Sequence, residues 1–184
     1  VAEVSWLLAL VMILAIVSFL DDIRPISAII RLVVQGLLAA GGLLALGLTG
    51  SPLLCIGLAL IWVCGYTNAF NFMDGVTGIA ASQALITGWG TALIALSAGA
   101  LPTDSVVWLA LLISGSGLGF LPHNFPKARM FMGDVSRASL GYILAFLVLL
   151  TARDYGWSLL LPLGLLHANF ILDTAITLVR RIFR

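Results

Sequence analysis

Seven apolar runs, separated by short polar connections, constrain this chain more than any other feature; they fall at 4–20, 27–48, 53–68, 79–100, 106–122, 138–152 and 157–179. A helix crosses a bilayer with about 20 apolar residues, and inside hydrocarbon a backbone must satisfy its own hydrogen bonds. The expectation is an all-α fold: a polytopic transmembrane helical bundle of about seven spans, forming a single transmembrane domain over 1–184. Segment 53–68 can extend to Phe72, and 138–152 can begin at Ser136. Of the 184 residues 61% are hydrophobic and only 9% charged, against about 25% charged in a soluble domain. Too little charge remains to cover a water-facing surface, which excludes a soluble globular enzyme, a disordered chain and a nucleic-acid binder. The runs are continuous rather than alternating, which argues against a porin-type barrel. Cys55 and Cys64 share one run; on a helix they lie roughly 13 Å apart, too far for a disulfide, and read as small core or lipid-facing residues. The ends, Val1 almost directly before an apolar run and a basic cluster closing at Arg184, read as those of a piece of a longer membrane protein.

Seven spans put the 21–26, 69–78 and 123–137 loops and the C-terminal tail on one side. Counting Arg31 near its helix start, that side holds Arg24, Arg31, Lys127, Arg129, Arg137, Arg180, Arg181 and Arg184, leaving only Arg153 of the 9 basic residues opposite. The positive-inside rule makes this side cytoplasmic. Asp21, Asp22, Asp74 and Asp134 fall on the same side, and Asp173 lies inside the last span about two turns from it. Glu3, Asp104 and Asp154 lie opposite and read as solvated loop charges. Separate segments therefore bring carboxylates to one membrane face, as a metal-dependent surface site requires.

Four constellations carry chemistry, each beside a plainer reading. Asp21-Asp22-Ile23-Arg24-Pro25 sets two carboxylates at a helix C-terminus, against the negative end of the macrodipole, so Arg24 or a metal must offset them; alternatively Asp22 or Ser27 caps the next helix. Asn68, Asn71 and Asp74 recur every three residues along one helical face. Their oxygens suit Mg²⁺, and Gly75 and Gly78 then admit a phosphate or nucleotide; the plainer reading is an Asn-rich helix stop and a turn. Pro122 to Arg137 surrounds Asp134 with Lys127, Arg129 and Arg137, and Gly133-Asp134 opens a helix whose N-terminus can hold phosphate; it also reads as a basic loop with an Asp cap. His123, in this loop, is placed to touch substrate. Asn169, Asp173, Thr177 and Arg180 share a face of the last span. Such residues usually face a bundle interior or a watery groove, or Asp173 simply pairs with Arg180. His167 reads as a hydrogen-bonded core histidine. Gly41-Gly42 and Gly115-Ser116-Gly117-Leu118-Gly119 read as close-packing patches.

In this order, Asp21-Asp22, then Asn68-x-x-Asn71-x-x-Asp74-Gly75, then Asn124-x-Pro126-Lys127-Ala128-x-x-Phe131-Met132-Gly133-Asp134, the chain resembles the polyprenyl-phosphate N-acetylhexosamine-1-phosphate transferases of glycosyltransferase family 4. Ile26-Ser27 with Arg31 and Gln35 resembles the branch that initiates O-antigen and related surface glycans. The similarity runs through essentially the whole chain, which covers about half of a family member.

The resemblance implies a multi-pass enzyme of the bacterial inner membrane with a cytoplasmic active face, working in cell-envelope polysaccharide synthesis. Its cofactor would be Mg²⁺, or alternatively Mn²⁺. It would move HexNAc-1-phosphate from a UDP-N-acetylhexosamine to undecaprenyl phosphate and release UMP. Its partners are those substrates and the lipid bilayer, not nucleic acid, with a homodimer as one assembly open to it. Carried over residue by residue, Asp134 and Asn71 bind the metal and diphosphate, and Asp21, Asp22 and Asp74 are the catalytic acids. Asp21 is the base for the lipid phosphate, and Asp22 supports the metal or lipid site. Asn68, Asn71, Asn124, Lys127, Arg129 and Arg137 bind substrate.

A phosphate monoester is mostly dianionic at neutral pH, so orientation matters more than proton removal, and direct attack is favoured over an aspartyl-phosphate intermediate. There are departures from the pattern. Thr77 stands where a second Asp is common, and Ser136-Arg137 replaces Gly-Ser. Pro25 stands where the peptidoglycan-precursor branch has Lys. The family's C-terminal histidine loop lies beyond the chain, so this piece alone is expected not to turn over. Two other classes compete: a cation- or proton-coupled transporter, whose acids would sit near the midplane, and a catalytically inactive membrane subunit.

Overall fold

The computed structural model describes residues 2–73 and 76–183. Eight helices follow one another: α1 Ala2–Ile23, α2 Ala28–Ala45, α3 Leu53–Met73, α4 Ile79–Ser97, α5 Ser105–Asn124, α6 Asp134–Tyr155, α7 Leu160–Leu166 and α8 Ala168–Ile182. Short 3-10 turns sit at Leu48–Gly50 and Trp157–Leu159. Among the described residues there is no strand. Six helices are long and apolar enough to cross a membrane, or seven if one bent pair is a single span. The expected all-α, polytopic architecture is what the chain adopts.

Local chemistry sets the ends. Pro25 disfavours helical backbone at Arg24, just past the end of α1. The Ser27 Oγ then accepts the Ile30 N–H at 3.4 Å and caps α2. After α4, Gly99 takes a left-handed conformation (φ 101°). The Ala100 N–H reaches the Ala95 carbonyl and the Gly99 N–H that of Leu96, a Schellman stop that satisfies carbonyls the helix leaves open.

Several helices overrun the apolar runs that announce them. α1 continues through Asp21–Ile23, α3 through Met73, and α6 begins at Asp134. Past the hydrocarbon, water can solvate polar side chains while the backbone ladder continues. The overruns are where most of the expected site residues ride.

Contacts divide the chain into two compact units, Val1–Asn71 with Met132–Phe146, and Phe72–Phe131 with Leu147–Arg184. In the first unit α6 is seated by its aromatic residues. The Tyr142 hydroxyl donates to the Leu38 carbonyl at 2.8 Å, and the Trp62 indole N–H to the Ala145 carbonyl at 3.0 Å. Phe146 packs edge-on to Trp6, ring centroids 5.7 Å apart, and its ring occupies the space a side chain at Gly42 would need. Gly141 plays the same part against Phe70 and Thr67.

In the second unit α4 and α5 meet through small residues. A Cβ on Gly117 would lie 2.7 Å from the Ala81 carbonyl oxygen, while Gly115 and Gly119 have nothing within 4 Å. Of that expected patch only Gly117 is a packing residue. Gly88, facing the Ala110 carbonyl, and Gly90, facing Leu166, do the same work.

The last apolar run, expected as one span over 157–179, is broken, with a bend of 62° between Trp157–Leu166 and Ala168–Thr177. A break at membrane depth frees carbonyls that hydrocarbon cannot satisfy. The buried Gln83 answers this by donating to the Leu166 carbonyl at 3.0 Å. His167 is buried at the break, as a core histidine should be. On α8, Phe170 is buried while Asn169, Asp173, Thr177 and Arg180 are exposed. The polar stripe therefore does not face a bundle interior, and no ion pair joins Asp173 to Arg180. Asp104 is also more than a solvated loop charge. Its Oδ2 accepts the Tyr155 hydroxyl and the Leu101 N–H, each at 2.8 Å.

The two glycines of the α5 patch make opposite predictions. Gly117→Ala forces α4 and α5 apart and lowers stability by about 1–3 kcal/mol. Gly115→Ala meets open space and stabilises by up to about 1 kcal/mol through helix propensity. Thermal unfolding of both variants in one detergent checks the pair.

Candidate active site

The first unit collects six of the expected site residues at the ends of its helices: Asp21 and Asp22 on α1, Asn68 and Asn71 on α3, and Asp134 and Arg137 on α6. Asp21 is largely buried, its side chain 7% exposed. Its Oδ1 accepts the Ile26 N–H at 2.6 Å and its Oδ2 accepts Arg31 Nη1 at 2.7 Å. The cation offsetting the α1 carboxylates is therefore Arg31, one turn into α2, and not Arg24. Asp22 is exposed, with an oxygen 3.9 Å from where a Cβ on Gly133 would stand.

The Asn68 amide N–H donates to Gln35 Oε1 at 2.7 Å and to the Cys64 carbonyl at 2.8 Å. From α6, Arg137 gives one guanidinium nitrogen to the Asp134 carboxylate and the other to the Asn71 carbonyl at 3.5 Å. These contacts join α1 to α2 through Asp21–Arg31, α2 to α3 through Gln35–Asn68, and α3 to α6 through Asn71–Arg137; the closeness of Asp22 to Gly133, the residue before α6, completes a ring.

Within this ring the Asn71 Oδ1 is buried and has no hydrogen-bond partner among the described residues. A buried acceptor left unpaired costs about 1–3 kcal/mol, so it is either strain or a ligand in waiting. Among the described residues no three His, Cys, Asp or Glu side chains converge as a metal cage. Mg²⁺ is usually held by one or two carboxylates together with substrate phosphates. The Asn71 oxygen and the Asp134 carboxylate are hard donors of the right kind, and the residues present fit the ion. Asp74 and Gly75 lie outside the described residues.

Asn124, Lys127 and Arg129 belong to the second unit. Lys127, Arg129 and His123 are exposed, open to an anion. Asn124 is not. It is 1% exposed, its Oδ1 accepts the Gly78 N–H at 2.6 Å, and its amide donates to the Met130 carbonyl at 2.8 Å. The residue expected to touch substrate instead buckles the turn before α4 to the loop before α6. Gly78 likewise admits no phosphate. It has φ 80°, and the space over its Cα is filled by Phe125. Residue type alone could not separate these roles, because an Asn that binds phosphate and one that buckles two loops read alike.

Asn124→Ala leaves the Gly78 N–H unpaired and frees the Met130 carbonyl. Amide hydrogen exchange should rise at Gly78 and across 125–133. Asn124→Asp keeps the acceptor, so protection at Gly78 should persist while that of the loop falls; equal exchange in all three proteins would remove the buckle.

The family model described as glycosyl transferase family 4 matches residues 4–152, which includes every segment of the ring. The chain is similar to a probable undecaprenyl-phosphate N-acetylglucosaminyl 1-phosphate transferase of Bacillus subtilis, 37% identical over 127 residues, covering 68% of this chain and 34% of that protein. It is similar to the phospho-N-acetylmuramoyl-pentapeptide-transferase of Streptococcus uberis, 30% identical over 185 residues, covering 89% and 53%. The corresponding transferase of Heliobacterium modesticaldum is 39% identical over 117 residues, covering 64% and 34%. The chain thus spans between about a third and about half the length of these relatives. With its apolar helices and this match, the chain is a multi-pass membrane protein that belongs to glycosyl transferase family 4.

Proposed function

We propose that the complete protein transfers HexNAc-1-phosphate from a UDP-N-acetylhexosamine to undecaprenyl phosphate, releasing UMP, at the cytoplasmic face of a bacterial inner membrane. The observation that carries this reading is the ring of polar contacts at the ends of apolar helices, with the unpartnered Asn71 oxygen inside it. Such a ring lets a lipid-borne substrate and a water-borne one meet. The excess of basic residues on the same side supports the cytoplasmic assignment.

In the reaction, an oxygen of the lipid phosphate forms a bond to the sugar-bearing phosphorus. The bond from that phosphorus to the bridging oxygen breaks, and its electron pair leaves with UMP. Phosphoryl transfer of this kind needs positioning and charge neutralisation above all. Asn71 and Asp134 would hold Mg²⁺, which when bound neutralises charge on the diphosphate. Arg137 fixes the Asp134 carboxylate, and exposed Lys127 and Arg129 supply positive charge for anionic substrates. Asp22, beside Gly133, and Asn68, held by Gln35, complete the set this chain would contribute, with Asp74 as a further acid. The lipid phosphate is largely dianionic at neutral pH, so direct attack needs no strong base.

The relatives are named as N-acetylglucosaminyl 1-phosphate transferase on one side and phospho-N-acetylmuramoyl-pentapeptide-transferase on the other. Pro25, where the second branch has Lys, favours the surface-glycan side. A transporter would want its acids near the midplane, whereas Asp21, Asp22 and Asp134 ride at helix ends.

The test follows UMP release by the complete protein in detergent with UDP-N-acetylglucosamine, related UDP-hexosamines, undecaprenyl phosphate and Mg²⁺. Chelation should abolish release and Mg²⁺ restore it. Asp134→Asn should lower kcat by about a hundredfold or more, the scale of losing one aimed electrostatic group. Silence with every donor, or turnover indifferent to both chelation and the variant, refutes the proposal.

A further inference from the structure

We infer that Asp21 is a positioning residue whose work is to fix Arg31, and that Arg31 meets the phosphate of the polyprenyl-phosphate acceptor. The inference rests on the transferase reading above and changes the part expected of Asp21.

The geometry separates the two members of the pair. The acid is inside, 7% exposed, and the cation outside, 39% exposed. Asp21 spends one oxygen on the Ile26 N–H, which fixes the turn between α1 and α2, and the other on Arg31. Taking a proton from a substrate would cost it the ion pair that fixes Arg31. Arg31 spends one N–H on Asp21 out of the five a guanidinium carries. Its remaining donors are presented at the helix end by a planar group suited to phosphate. A free Arg at a membrane surface samples many rotamers; tethering one nitrogen to a buried carboxylate removes much of that freedom before any ligand arrives.

The surroundings point to the acceptor. Ile29, Ile30, Leu32 and Val33 flank Arg31 along α2, and all are exposed. On a helix of span length and apolarity, such residues face hydrocarbon. A cation set among them suits a phosphate carried on a hydrocarbon chain; a nucleotide sugar has no apolar tail for that surface. The chemistry agrees, because a phosphate monoester that is already dianionic needs capture and aim more than deprotonation.

The experiment compares steady-state kinetics of the complete protein and three variants in detergent, with Mg²⁺, UDP-N-acetylglucosamine and undecaprenyl phosphate varied in turn. Arg31→Gln and Asp21→Asn should each raise the KM for undecaprenyl phosphate about tenfold, the loss expected of one charge-assisted hydrogen bond. The KM for the nucleotide sugar, the pH–rate profile and kcat (within about threefold) should hold, and Arg31→Lys should recover part of the loss. Asp21→Asn keeps an oxygen for the Ile26 N–H, and Arg31→Gln leaves that turn untouched, so both keep the local bond that shapes the chain.

A collapse of kcat in Asp21→Asn with loss of the acid limb of the pH profile overturns the inference in favour of a base. A change confined to the nucleotide-sugar KM overturns it in favour of the donor. If the wild type is silent with every donor, the transferase reading falls separately. Retention of undecaprenyl phosphate in native mass spectrometry then still decides on Arg31: weaker retention by Arg31→Gln supports it, and equal retention overturns it.

Discussion

In hydrocarbon no water is at hand for a backbone amide, so a chain that crosses a membrane must keep its hydrogen-bond ladder whole until it reaches solvent, or satisfy a break from a neighbouring side chain as Gln83 does at Leu166. The ladder does not stop where apolar side chains stop. In this protein it runs on through Asp21–Ile23 in α1 and through Asn68, Asn71 and Met73 in α3, and in α6 it starts early at Asp134. The same rigidity that serves the bilayer becomes a mount for polar groups at its edge. Side chains on helix ends keep fixed directions, which loop residues would lose. That is why hydrogen bonds can link the ends of α1, α2, α3 and α6 in succession.

The charges of the ring are arranged so that each acid has a distinct fate. Asp21 is turned inward and doubly engaged, Asp134 is held by Arg137, and Asp22 is left exposed beside Gly133. A site that gathers carboxylates at helix C-termini works against the macrodipole, and Arg31 offsets part of that cost. One further link is made by neutral amides. The Gln35–Asn68 bond joins α2 and α3 without adding charge. The result concentrates oxygen donors at one end of a unit while limiting mutual repulsion of its anions, the condition under which a divalent cation and phosphates could share the space.

Hydropathy made the spans legible, because it sums over some twenty residues and tolerates local exceptions. What it could not give is anything decided by one contact. The break at His167 had a local signal in Pro162 and Gly164, but an unbroken apolar run overrode it. The residue that makes the break tolerable, Gln83, sits 84 positions upstream of His167 in a run that otherwise reads as an ordinary span. Site residues were legible as a set and not as roles. Asn68, Asn71, Asp134 and Arg137 belong to one ring, yet nothing local separates Asn124, whose amide is spent inside its unit, from Asn71, whose oxygen is not. Arg24, adjacent in sequence, was the expected cation for the α1 acids, with a bound metal as its alternative. Three-dimensional reach chose Arg31 instead, since Pro25 turns the chain and brings the first turns of α2 back past the end of α1.

Arg137 stands where the family pattern has Ser, and a cation beside an acid proposed to hold a metal would ordinarily weaken such a site. Its geometry accounts for it. The Asn71 carbonyl belongs to the last turn of α3, where carbonyls lack helical partners and the dipole favours positive charge. Asp134 opens α6, where the dipole favours negative charge. A single guanidinium spans the two. It braces the Asn71 backbone at a helix C-terminus against the Asp134 carboxylate at a helix N-terminus. The substitution trades some negative charge at the acid for rigidity between the two helix ends whose side chains would bind the metal. Where phosphates bring their own charge to the ion, rigidity is the scarcer of the two.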